Sequence, residues 1–118
     1  MSRRTQRVAD VLRGELADLL LRQVHDPRIK LVSVTDVDVS PDLRRALVKV
    51  SVLGSDEERA GAVEALQHAR GFLRRELAHR LRLRVTPELV FELDRGAEHS
   101  QRISDLLESL HDGRDESS

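Results

Sequence analysis

The chain has 118 residues, which fits one domain with a real core and leaves little room for an elaborate active site. Apolar residues make up 39% and charged residues 35%, but Phe72 and Phe91 are the only aromatics, so the core must be built from Leu, Val, Ile and Ala. The absence of cysteine excludes disulfides, thiolate metal sites and a cysteine nucleophile and fits a reducing compartment; no apolar run approaches the roughly 20 residues of a membrane helix, no signal core follows the basic start, and the expectation is a soluble cytoplasmic protein.

Residues 5–24 read as an amphipathic helix, because Val8, Leu12, Leu16, Leu19 or Leu20, and Val24 recur at spacings of three and four. It must end before Pro27, since the residue preceding a proline is pushed out of the helical region. His25–Arg28 is then a turn. Residues 31–39 are β-branched and nearly alternating, so they predict a strand. Ser40-Pro41-Asp42 is a turn cluster. Residues 43–53 predict a second strand with Ala46, Val48, Val50 and Val52 on one face, and the short link makes the two an antiparallel hairpin. Ser55 and Glu58 match the S-x-x-E capping box that opens a helix. Its apolar stripe is Ala62, Leu66, Ala69, Leu73, Leu77 and Leu81. Thr86-Pro87 closes the segment. Leu89, Phe91 and Leu93 alternate with polar or outward residues in a third strand. Ile103, Leu106, Leu107 and Leu110 predict a last short helix. Residues 1–111 form one domain in this reading, and 112–118 are a polar, acidic tail expected to be disordered. The third strand follows a helical crossover, so the fold class is α+β: a three-stranded sheet with helices on one face.

The net charge of −1 hides an uneven layout. Between Gln67 and Arg84 lie Arg70, Arg74, Arg75, Arg80, Arg82 and Arg84 against the single acid Glu76. Arg3, Arg4 and Arg7 form a second basic set at the start. Arg44 and Arg45 open the second strand beside the turn, where they also fit a role as edge-strand gatekeepers. Acidic residues crowd elsewhere, at Asp56-Glu57-Glu58 and between Asp105 and Glu116. Such a surface is bipolar, with one concentrated basic segment.

Enzyme signatures are missing. There is no phosphate-binding glycine loop of either common type and no G-x-S-x-G. No H-x-x-x-H pair offers a zinc site. No pairing of residues points to acid–base catalysis, so no catalytic residue, metal or cofactor is expected. The informative feature is Ala69-Arg70-Gly71 inside the long helical pattern. An interior glycine costs about 1 kcal/mol relative to alanine. On a helical wheel Gly71 falls opposite the Ala69–Leu73–Leu77 stripe, among His68, Arg75, His79 and Arg82. That placement suggests a kink, or close approach of another backbone. A tolerated glycine on a solvated basic face satisfies the same pattern, and the residues alone do not choose.

Several blocks in order resemble the ribosome-binding factor A family. They are R-V-A-D-V-L-R-G-E-L-A-D-L-L (7–20), D-P-R-I (26–29), V-S-V-T-D-V-D-V-S-P-D-L-R-R-A-L-V-K-V-S-V-L-G (32–54), A-L-Q-H-A-R-G-F-L-R-R-E-L (65–77), L-R-L-R-V-T-P-E-L-V-F-E-L-D (81–94) and R-I-S-D-L-L (102–107). The resemblance implies a type II KH-like domain, ordered α-β-β-α-kink-α-β-α, in which an Ala-x-Gly kink replaces the G-x-x-G loop of RNA-binding KH domains. Ala69, Arg70 and Gly71 fit that kink. It further implies a non-catalytic factor, linked to growth in the cold, that binds the immature 30S subunit and assists late maturation of 16S rRNA. Ribosomal proteins and an assembly GTPase are its further implied partners, and a monomer is expected. The residues assigned to RNA contact are Arg3, Arg4, Arg7, Arg70, Gly71, Arg74, Arg75, Arg80, Arg82 and Arg84. A second class fits the same basic helix: a protein–protein adaptor or regulatory module that meets an acidic partner.

Overall fold

The computed structural model describes residues 3–96 and 106–107. Helix α1 spans Arg3–Arg22, a short 3-10 turn Pro27–Ile29, strand β1 Val32–Val39, strand β2 Arg45–Val52, helix α2 Asp56–Arg80 and strand β3 Glu88–Leu93. Helix α1 buries Ala9, Leu12, Leu16, Leu19 and Leu20 on one stripe, as the spacing predicts. It stops ahead of Asp26-Pro27. There the Asp26 carboxylate accepts the Arg28 backbone N–H at 3.0 Å and caps the 3-10 turn.

Strands β1 and β2 pair antiparallel, and β2 pairs β3 in parallel, so the sheet order is β1-β2-β3. The parallel pair requires a crossover, and α2 supplies it. The imperfect alternation of Val-Ser-Val-Thr-Asp-Val-Asp-Val now has a cause. The register slips between Val34 and Asp36, leaving Thr35 as an extra residue. Val32 and Val34 on one side of the slip, and Val37 and Val39 on the other, thereby all oppose the inward Val52, Val50, Val48 and Ala46 of β2. The Thr35 hydroxyl donates to Asp94 Oδ2 at 2.7 Å, tying the edge strand to the residue that follows β3.

Helix α2 begins as its sequence dictates. The Glu58 N–H donates to Ser55 Oγ at 3.2 Å and the Ser55 N–H donates to Glu58 Oε1 at 3.1 Å. The Ser55 backbone and side chain together hold the Glu58 carboxyl below the ordinary carboxylate range. Gly54 precedes the cap at φ +136°, a conformation that side-chain-bearing residues rarely adopt. The core lies between the two helices and the inner face of the sheet. Leu12, Leu16, Leu19, Leu66, Leu73, Leu77, Val48 and Val50 are completely buried there, and Phe91 nearly so. Burial of each such side chain contributes about 1.5–3 kcal/mol.

One expectation is corrected. The helix pair expected to meet at Ala69-Arg70-Gly71 is a single uninterrupted α-helix from Asp56 to Arg80. Gly71 costs that helix only about 1 kcal/mol, and the buried Leu66, Leu73 and Leu77 on either side of it outweigh so small a penalty. The predicted C-terminal helix lies outside the described residues except for Leu106 and Leu107, which are helical and exposed. The tail 112–118 also lies outside them.

Candidate nucleic-acid interface

One end of the molecule gathers the start of α1, the β1–β2 turn, the end of α2 and the start of β3. The turn is the keystone of that end. The Ser40 N–H donates to the Arg45 carbonyl at 2.9 Å and the Leu43 N–H to the Ser40 carbonyl at 2.9 Å. The Ser40 hydroxyl donates to Asp42 Oδ1 at 2.7 Å, and the Arg44 N–H reaches the same oxygen at 3.1 Å. These two bonds, Ser40 first, hold the Asp42 carboxyl below its ordinary range. Leu43 sits at φ 63°, in the left-handed region. Such a backbone costs a non-glycine residue about 1 kcal/mol or more. The Leu43 side chain packs against the core, and with the Asp42 and Ser40 bonds it fixes the turn. The result is a rigid presentation of Arg44 and Arg45.

Further bonds tie the neighbouring segments together. The Glu88 N–H donates to the Arg44 carbonyl at 2.8 Å. Arg74 of α2 donates through Nε and Nη2 to the Thr86 carbonyl at 3.2 and 3.0 Å, clamping the segment that enters β3. Shallow recesses then run side by side around the end. One is lined by Arg45, Arg70, Gly71 and Arg74 beside Glu88–Val90. The next is lined by Ser40, Arg44, Arg45, Arg74, Val85 and Thr86, with the carboxylates of Asp42 and Glu88 at its edge. A third joins Arg4 and Val8 of α1 to Pro41–Leu43 and to Leu83–Val85, including Arg84.

The structure thus brings together Arg4, Arg70, Gly71, Arg74 and Arg84 of the predicted set. Arg3 and Arg7 are exposed on the same first turns of α1. Arg75 is exposed on the outward side of α2 with His68 and His79, and Arg82 follows just beyond the helix end. Arg80 is different. Its Nη1 donates to Asp18 Oδ2 at 2.7 Å and to Glu15 Oε2 at 3.2 Å, so it staples α2 to α1. Hydrogen bonding from Arg80 is the main reason the Asp18 carboxyl lies below its ordinary range. The guanidinium expected on a phosphate is already engaged.

Sequence reasoning undervalued Arg44 and Arg45. They open the central strand, so the gatekeeper role does not apply to them. Their position next to a turn cluster was visible, but their meeting with Arg70 and Arg74 depends on a long-range crossover. Gly71 also reads differently in place. A Cβ there would meet nothing within 4 Å, so this chain's own packing does not require a glycine. The residue is an open spot of bare backbone beside Arg70 and Arg74.

Exposed guanidinium groups in this number suit phosphates, which they bind through paired N–H donors. Among the described residues no three His, Asp or Glu side chains cluster as a metal site requires, and no helix is long and apolar enough to cross a membrane.

Comparison with known proteins identifies the scaffold. A family model described as ribosome-binding factor A matches residues 4–107. The chain belongs to the ribosome-binding factor A family. A relative of that name from Thermomicrobium roseum is 49% identical over 113 residues, covering 96% of this chain and 88% of the relative. The crystal structure of ribosome-binding factor A from Thermus thermophilus matches with a TM-score of 0.67 at 31% identity, covering 75% of this chain and 94% of that one. A homology model of the Thermus thermophilus factor, fitted into a cryo-EM map of a complex between the 30S subunit and that factor, matches with a TM-score of 0.63 at 33% identity, covering 74% and 91%. The α+β, KH-like architecture expected of the family is the one observed, with α1 and α2 against a three-stranded sheet among the described residues.

Proposed function

We propose that this chain is a ribosome biogenesis factor that binds the free or immature 30S subunit and assists late maturation of 16S rRNA without catalysing a reaction itself. The observation that carries the reading is the convergence of Arg4, Arg44, Arg45, Arg70, Arg74 and Arg84 at one end of the fold. Membership of the ribosome-binding factor A family, and the 30S complex of its Thermus relative, support the choice of partner. Arginine–phosphate contacts supply affinity and orientation, while the shape of the folded RNA supplies selectivity. Gly71 then serves as the place where an RNA backbone meets a helix with no side chain in the way.

Co-sedimentation with purified 30S subunits and with whole ribosomes, at rising salt, tests the proposal. Binding to free 30S subunits that weakens steeply with salt is the expected result. A complex with another macromolecule that survives both nuclease and high salt, with no 30S binding, would move the function to the adaptor class.

A further inference from the structure

The recess between α2 and β3 has a volume of about 350 Å³, at the low end of the roughly 300–1,000 Å³ that small ligands occupy. Its lining is not arginine alone. Glu88 and Val90 of β3 contribute to it, and Gly71 leaves the helix side bare next to Arg70. Glu88 is the direct partner of Arg45 in the parallel pairing of β3 with β2. Two carboxylates, Asp42 and Glu88, line the recesses of this end. Asp42 is committed to the Ser40 hydroxyl and the Arg44 N–H. The Glu88 side chain is exposed and has no hydrogen-bond or ion-pair partner among the described residues. A carboxylate only accepts hydrogen bonds, and it repels phosphate. Phosphate contact therefore gives Glu88 no role. What the recess offers is an acceptor and a donor fork side by side, with an apolar surface next to them, since Val90 is 46% exposed.

We propose that this recess takes one unpaired guanine of the bound RNA. The guanine N1–H and N2–H donate to the Glu88 carboxylate, and its O6 and N7 accept from the Arg45 guanidinium, the fork that arginine commonly presents to this base. Val90 meets the ring, and Gly71 leaves room for it. The other bases fail at the carboxylate. Adenine brings the lone pair of N1 there and cytosine that of N3, while uracil offers one N–H between two carbonyls. Reading this edge requires a base out of its helix, as in single-stranded loops and junctions. The inference rests on the phosphate reading above and adds selectivity to it: the arginines hold the backbone, and Glu88 reads one base.

Fluorescence anisotropy with the full chain and labelled oligouridine carrying one central G, A, C or inosine tests it. The RNA with G should bind about tenfold tighter than those with A or C, and inosine, which lacks the N2 amine, should fall between. Glu88→Gln should abolish the preference and raise affinity for the all-uridine RNA, because the repelling charge is gone. A loss of fold would lower both. Glu92→Gln removes the same charge from the same strand outside the recess, and should keep the preference. Equal binding of all the RNAs, or a preference that survives Glu88→Gln, would overturn the guanine site while salt-sensitive binding left the phosphate reading standing. Failure to bind any of these RNAs, with 30S co-sedimentation intact, would also overturn the guanine site alone. Loss of both would overturn the reading it rests on.

Discussion

The two ends of the sheet treat arginine in opposite ways. Where α1 ends and α2 begins, arginines are paired: Arg28 with Asp26 at 2.8 Å, Arg59 with Asp56, and Arg22 with Asp18 at 2.8 Å. Arg59 also donates to the Gly54 carbonyl at 2.7 Å. At the other end Arg4, Arg44, Arg45, Arg70 and Arg84 have no carboxylate within salt-bridge distance among the described residues. Composition treats these arginines alike, so what separates them is placement of acids. Near-neutral net charge is therefore compatible with a strongly one-sided field.

That contrast can be broken or sharpened in steps. The largest effect falls on neither end but on the core that joins them. Leu73→Ala should cost about 2–5 kcal/mol in chemical denaturation, because Leu73 is completely buried in α2. Next, replacing Arg44 and Arg45 together with Glu should weaken 30S binding at least tenfold in co-sedimentation. Single Arg70→Ala or Arg84→Ala should lower the slope of log affinity against log salt by about one unit each. Arg80→Ala should leave that slope unchanged and loosen the α1–α2 contact, since its guanidinium faces Glu15 and Asp18. Ser55→Ala, at the paired end, should cost about 1 kcal/mol of stability and leave binding untouched.

Acid should act chiefly through the paired groups. The Asp18, Asp26, Asp42 and Glu58 carboxyls are all held below their ordinary range in the folded chain. The folded state then binds protons more weakly than the unfolded one, so their contribution is present at neutral pH and is lost as pH falls below the carboxylate range. Urea midpoints at neutral pH and near pH 2, below the ordinary carboxylate range, should show this loss, and Asp18→Asn with Glu58→Gln should reduce it. The smallest effect is the most pointed. Gly71→Ala has open space for its methyl and should stabilise the helix by about 0.5–1 kcal/mol. Weaker 30S binding in that more stable variant would mark Gly71 as a point of backbone approach.

Local patterns carried most of the fold. The capping box at Ser55, the leucine stripes and the valine alternation each specify an element within a few residues of its observed bounds. The site was only half legible. Arg70, Arg74 and Arg84 stood out because they crowd in sequence. Arg44 and Arg45 did not, because their neighbours arrive through a parallel pairing with β3. Arg80 looked the same as its neighbours, and only the packing of α2 on α1 reveals its carboxylate partners. Gly71 stands out in the sequence, but the break in the helix expected there does not occur.

The slip at Thr35 bears on how this protein can change length. Deleting that one residue leaves Val-Ser-Val-Asp-Val-Asp-Val, a strict alternation that runs alongside β2 without interruption. Most single-residue deletions in a strand turn its hydrophobic side to water. Here the valines keep facing inward and the tether to Asp94 is what disappears. Position 35 is a spot where inheritance can lose a codon and keep the architecture, so what a deletion there would expose is the worth of a single hydroxyl.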